Sequence, residues 1–186
     1  MEKLRKMIAN YRPYSEQEEK DRALMLQFID VLGKRSLERD CPGGHFTASG
    51  IIFNKNHTKM LMCDHLVDHS LAWLGGHADG MTDLLKRAKL EINEESGITR
   101  FYPISEEIGG VTVIAVPGHR KRGKFVSSHI HLDVAYVFEA DENETIVHQE
   151  EENSGVRWVT FKEMYEQVSD IWKMHYAYEK FIKQYA

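Results

Sequence analysis

Residues 75–98 read GGHADGMTDLLKRAKLEINEESGI, and the reading of this stretch decides the reading of the rest. From Thr82 to Ser96 the residues suit a helix, closed by Gly97 as glycine closes a helix just past its end. On that helix Glu91, Glu94 and Glu95 stand at i, i+3 and i+4, so their side chains leave from one face. Leu85, Ala88 and Ile92 share another face, apolar and suited to packing on a sheet. Carboxylates crowded in this way repel, each like pair costing about 0.2–0.5 kcal/mol on an exposed helix. A divalent cation turns the repulsion into affinity, and magnesium takes carboxylates, waters and substrate phosphates in an octahedral oxygen shell. Glutamate clusters on helices are more often plain solvated faces. The Gly-Gly pair ahead of this helix and the fixed spacing to Gly97 set this cluster apart.

The segment resembles the signature box of the Nudix hydrolases, G-x5-E-x7-R-E-U-x-E-E-x-G-U, where U is a bulky aliphatic residue. Aligned without a gap, Gly76, Glu91, Ile92, Glu94, Glu95, Gly97 and Ile98 match it. Thr82 stands where the family has Glu, and Leu90 where it has Arg. In the family those two residues are understood to pair and brace the loop against the helix. Losing both together avoids leaving one charge without its partner. The resemblance runs over roughly residues 44 to 165. It includes His45-Phe46-Thr47-Ala48-Ser49-Gly50 before the first strand, Trp73 before the Gly-Gly turn, and Arg157-Trp158-Val159 after an acidic loop.

The resemblance implies an α/β (α+β) fold, a Nudix-like α/β/α sandwich with a mixed β-sheet. It also implies magnesium-dependent hydrolysis, with manganese as the alternative ion. The bond cut is a diphosphate in a nucleoside diphosphate linked to another moiety, of nucleotide, sugar-nucleotide or ADP-ribose type. The expected metal ligands are the Gly75 carbonyl with Glu91, Glu94 and Glu95, the three glutamates also being the catalytic residues. Glycine at 75 and 76 lets backbone approach metal and phosphates that a side chain would obstruct. Many family members recruit one more Glu from a loop before the final strand, as ligand or general base. Of Glu150, Glu151 and Glu152, the last, six residues before Trp158, has the expected spacing.

Substrate-binding candidates lie on both sides of the box. Gly76 and His77 belong to it, and Asp79 follows in the same loop. A Gly- and Lys/Arg-rich loop from Pro117 to Ser128 carries His119, Arg120, Lys121, Arg122 and Lys124. In an acidic chain its Arg120, Arg122 and Lys124 suit a flexible clamp on phosphates. His129, His131 and Asp133 alternate along an expected strand and so point to one face. His-x-His spacing can bind a transition metal, but a polar, substrate-facing wall is the reading preferred for these residues.

Working outward, residues 1 to 43 read as a helical extension and 44 to 186 as the hydrolase domain with its C-terminal helix. Ser15 and Glu18 form a Ser-x-x-Glu capping box, followed by Ala23, Leu24, Phe28, Ile29 and Leu32 at helical spacing and Gly33 as a stop. Strands are expected over Phe46–Phe53, Lys59–Cys63, Val111–Val116, Ile130–Phe138 and Arg157–Thr160. Thr160 and Glu163 make a second capping box, and Asp170–Tyr185 reads as a final amphipathic helix. Trp172, Tyr176 and Phe181 on that helix suit either packing on the domain or a homodimer surface.

Composition narrows the class. The chain has 186 residues, 42% hydrophobic and 28% charged, with four Pro and thirteen Gly, as globular domains have. A net charge of -5 argues against a nucleic-acid coat, which needs excess Lys and Arg, but leaves room for a small nucleotide-like substrate. Cys41 and Cys63 are expected as reduced thiols. MEKLRKMIANYRPY at the start has no apolar core of signal-peptide length, and no run approaches the roughly 20 apolar residues that span a bilayer. The expected setting is cytoplasmic, away from membranes and nucleic acid. The alternative function is a non-catalytic Nudix domain that senses a nucleotide-like ligand. An isopentenyl diphosphate isomerase, which shares the fold, is discounted because neither cysteine sits in a corresponding motif.

Overall fold

The two strands at the centre of the molecule are far apart in sequence and run parallel. β1 (Gly44–Asn54) and β9 (His129–Ala140) pair along their whole length, from Gly44 opposite Ile130 to Asn54 opposite Ala140. Both are buried over most of that length, as strands covered on two faces must be, and both are rich in β-branched and aromatic residues. The computed structural model describes residues 1–65, 70–121, 123–147 and 153–186. Among these, eight strands form one mixed sheet. β2 (Lys59–His65) and β4 (Leu74–His77) pair antiparallel with successive parts of β1. β5 (Phe101–Pro103) and β6 (Gly110–Val116) pair antiparallel with β9, and β3 (Ser70–Ala72) and β10 (Asn153–Thr160) with β2. β7 (His119–Lys121) and β8 (Lys124–Val126) make a separate hairpin where the sequence reading expects a loop.

Helices cover both faces. On one side Phe46, Ala48 and Ile52 of β1 share a core with Leu84, Ala88 and Ile92 of α3 (Leu84–Ser96), and with Leu4, Ile8, Met25 and Ile29 of α1 (Glu2–Asn10) and α2 (Glu16–Leu32). On the other, Ile51 and Phe53 pack with Met164 of α4 (Phe161–Gln167), Met174 and Tyr178 of a π-helical turn (Lys173–Tyr178), and Phe181 of α5 (Glu179–Tyr185). The alternation along β1 thus sorts the two cores. The result is the expected α/β/α sandwich with a mixed sheet. Among the described residues no helix is long and apolar enough to cross a membrane. Cys41 and Cys63 are free and buried.

Several local features differ from their sequence reading. α3 starts at Leu84 because Asp83 caps it, its carboxylate accepting from the Lys86 amide at 3.1 Å. Leu84 joins Ala88 and Ile92 in the core, and Leu85 packs against it partly buried. Gly75 and Gly76 are not in a turn but on β4, opposite Ser49 and Ala48. The last helix is broken by its π turn instead of running evenly from Asp170. Ser15 does cap α2, but Glu18 does not close a box with it. The Glu18 carboxylate is fully buried and accepts from the Tyr11 hydroxyl at 2.7 Å, the Tyr14 amide at 2.7 Å and the Val111 amide at 3.2 Å.

That last bond belongs to a seam between α2 and β6. Asp21, one turn along α2, accepts from the Val113 amide at 2.8 Å. Lys180 of α5, 4% exposed, donates to the Val111 carbonyl at 2.7 Å and to the Thr112 hydroxyl at 2.8 Å, and pairs with Glu18. Burial pulls the Lys180 ammonium below its ordinary pKa, and the neighbouring Glu18 charge pulls it back up.

Candidate functional site

The glutamates of α3 are held against β4 by a close approach that only glycine permits. A Cβ on Gly76 would lie 2.5 Å from the carboxyl carbon of Glu91, inside any real contact distance. One on Gly75 would lie 2.8 Å from the Ala48 carbonyl oxygen. Glu91 is 4% exposed and Glu95 9%, whereas the Glu94 side chain is half exposed. Glu95 leans toward β2, where its charge adds to burial in pushing the Cys63 thiol up. The two side chains nearest the sheet are thus screened from water while the third reaches out to it.

Arg87, one turn before Glu91, lies among these carboxylates. Its guanidinium pairs with Glu91 and reaches Glu94 at 3.4 Å. Thr82 is exposed and Leu90 is at the border of exposure, so the two positions where the box departs from its pattern face solvent. The carboxylate donors are all oxygen, one of them lies against a glycine cradle that a Cβ would fill, and two of them face the Arg87 cation. These features fit a hard divalent ion of the magnesium kind.

The sheet face away from α3 carries a second polar group. His45, Thr47 and Ser49 of β1 project there beside His129, His131 and Asp133 of β9, with His77 of β4 opposite Thr47. Asp133 is 1% exposed and its Oδ1 accepts from the hydroxyls of Thr47 and Ser49, each at 2.7 Å. Burial raises its pKa, and the two hydroxyls oppose the rise. His45 is 2% exposed, and among the described residues neither of its ring nitrogens has a hydrogen-bond partner. Burial, followed by nearby charges, pushes His45 down to about 4 and His131 down to about 2, so both rings are neutral at pH 7. His77 and His131 are half-buried.

The structure gathers the expected site residues into two groups and leaves some apart. Gly76, Glu91, Glu94 and Glu95 meet on the α3 side; His77, His131 and Asp133 meet on the other, the face toward which a Cβ on Gly75 would point, against the Ser49 hydroxyl. Asp133 sits behind the wall rather than on it, held by two hydroxyls. Arg120 and Lys124 are exposed on the β7–β8 hairpin, with the Arg120 guanidinium donating to the Gly123 carbonyl at 3.3 Å. Asp79 is engaged in an ion pair with Arg39. Glu152 and Arg122 lie outside the described residues. His45 is the residue that sequence reasoning missed. Its signal was the polar alternation His45-x-Thr47-x-Ser49 in an otherwise apolar strand, matching His129-x-His131-x-Asp133 in its partner.

No protein-family model matches the chain, and no curated protein sequence does. Solved structures do. The E. coli dihydroneopterin triphosphate pyrophosphohydrolase superposes with a TM-score of 0.53 at 14% identity, over 74% of this chain and 94% of its own. The C. elegans Ap4A hydrolase superposes with a TM-score of 0.52 at 16% identity, over 76% of this chain and 98% of its own. At such identities the likeness speaks for architecture, and the architecture agrees with the box that the sequence carries. The chain has the Nudix hydrolase fold.

Proposed function

We propose that this protein is a magnesium-dependent hydrolase of a diphosphate bond, acting on a nucleoside diphosphate linked to another moiety. The observation that carries the reading is the seat of Glu91 against Gly76, with Glu94 and Glu95 on the same helix. The fold adds support, since the two compared structures are named as hydrolases of Ap4A and of dihydroneopterin triphosphate. The Gly75 carbonyl, Glu91, Glu94 and Glu95 would hold the ion, with Glu152 as a further ligand or base. A bound magnesium ion supplies charge neutralisation on the phosphates and a more acidic water.

The chain's own residues do the rest. Glu91, fixed between Gly76 and Arg87, sets the position of the carboxylate group, while Glu94 reaches solvent where a substrate arrives. Arg120 and Lys124 on the hairpin, with Arg122, attract phosphate. His77 and the neutral His131 offer hydrogen-bonding nitrogens on the sheet face, and Asp133 steadies Thr47 and Ser49 behind them. Residues 44 to 186 form the hydrolase unit in this reading, and 1 to 43 an extension. A cytoplasmic setting agrees with the two buried thiols, and the exposed Trp172 and Tyr176 offer a surface for a homodimer.

The test is to incubate the protein with Mg²⁺ and a panel of nucleoside diphosphate derivatives and to follow released phosphate products. Glu95→Gln should lower the rate by about 10²–10⁴-fold if this carboxylate takes part in proton transfer; an unchanged rate overturns the assignment. A second reading, a ligand sensor without turnover, is favoured by Arg87, which balances Glu91 and Glu94 from within the chain. Measurable nucleotide binding with no product from any member of the panel selects the sensor.

A further inference from the structure

We propose that His45, His77 and His131 form a binding site for a divalent transition-metal ion, zinc foremost, separate from the carboxylates of α3. One ligand nitrogen from each lies within 4.8 Å of the others. The ring centroids make a nearly equilateral triangle, with sides of 5.0 Å (His45–His77), 4.9 Å (His45–His131) and 5.2 Å (His77–His131). Tetrahedral zinc with bonds of about 2.0–2.1 Å needs its nitrogens roughly 3.4 Å apart. Side-chain rotations that draw the triangle inward by about 1 Å reach that spacing.

Three strands fix the geometry. His45 and His131 are direct partners in the parallel pairing of β1 with β9, and His77 is opposite Thr47 on β4. Ligands on adjacent strands of one sheet are held more firmly than ligands on loops. His45 is the second, independent observation. It is 2% exposed, it faces the other two rings, and among the described residues neither nitrogen has a hydrogen-bond partner. A buried imidazole left in that state costs free energy, and coordination satisfies the nitrogen concerned.

The donor type selects the ion. Imidazole nitrogens suit zinc, copper, iron and nickel, whereas magnesium and calcium take oxygens. The molecule therefore holds an oxygen set on one side of its sheet and a nitrogen set on the other. Three histidines leave a fourth position, and His77 and His131 are open enough to water for an exogenous ligand to fill it. His129 stands at the rim, its Nδ1 donating to the Ser127 carbonyl at 2.8 Å and its Nε2 at 3.3 Å from His131 Nε2.

The experiment uses the full chain after removal of metals by a chelator, without nucleotide. Zn²⁺ is titrated by calorimetry, and Co²⁺ is followed by visible absorption, which reports coordination number without any assay of turnover. One ion per chain is expected, with the intense visible bands of a four- or five-coordinate cobalt centre. His77→Ala and His131→Ala, at half-buried positions, should each weaken Zn²⁺ binding by at least about tenfold, with unchanged circular dichroism. Glu95→Gln should leave it unaltered. Absence of stoichiometric uptake, uptake retained in the His77→Ala/His131→Ala double variant, or uptake abolished by Glu95→Gln each overturns the proposal. So does binding of inorganic phosphate that needs these histidines in a protein that takes up no zinc, which would make the cluster an anion wall.

Discussion

Glu18 and Lys180 meet at 2.7 Å in the interior, joining a helix near one end of the chain to the helix at the other. Both are screened from water, and both also bond to backbone of β6. Lys180→Met leaves the Glu18 charge buried without its partner and should destabilise the protein by about 3–5 kcal/mol. Guanidinium unfolding measures this. Glu18→Gln added to Lys180→Met should recover much of the loss, since position 18 then carries no buried charge that lacks its partner.

Gly76→Ala should separate folding from chemistry. The added methyl meets the Glu91 carboxyl group, a side chain that can shift. The shift displaces the proposed ligand set, and displacement of about 1 Å in such a site costs roughly 10²-fold in rate. Steady-state kinetics with Mg²⁺ should show that loss, while the thermal midpoint moves little.

Arg87→Ala removes the guanidinium that pairs with Glu91 and reaches Glu94. The metal-free variant should lose about 3 kcal/mol, as expected when one member of a buried pair is removed. Mg²⁺ should restore more stability to the variant than to the parent, because the ion no longer competes with a guanidinium. Thermal melts across a magnesium titration test this; equal shifts in both proteins would show that Arg87 does not compete.

Acid should unfold the chelator-treated protein through its histidines. The folded pKa values of His45 and His131 lie below the ordinary value of 6.5, at about 4 and about 2. A depressed pKa contributes stability that is present above 6.5 and is lost as pH falls toward the folded values, because the unfolded chain takes up the proton first. Between pH 6.5 and 4, stability should fall by about 1.4 kcal/mol per pH unit for each proton. His45→Gln should remove one proton from that slope, read from denaturant midpoints at several pH values.

The sequence carried the architecture because its signals were local and repeated. β1 and β9 announced themselves through long apolar, β-branched runs, and the Thr160–Glu163 capping box is formed as expected. Gly75 and Gly76 were misleading because glycines have no strand preference of their own; their pairing with Ser49 and Ala48 makes them a strand, and that pairing is long-range. The π turn at Lys173–Tyr178 escaped for a related reason, since the helical period of the sequence does not mark one widened turn. Glu18 read as a cap because the motif was local, whereas its partners on β6 and α5 lie far along the chain. The glutamates of the candidate site were legible through their spacing. The histidine cluster was not, because only the register of β1 with β9 and β4 brings His45 to His131 and His77.

The seam between α2 and β6 bears on how the molecule keeps to itself. The free edge of a sheet is a template for strands of other molecules. Here the outward amides of Val111 and Val113 are already taken by two carboxylates on one helix, so an incoming strand would have to displace buried charge to gain a foothold. A chain trimmed to begin at Gly44 would bare that edge, and self-association in light scattering is the expected result. On that outcome residues 1 to 43 would act as a guard against polymerisation.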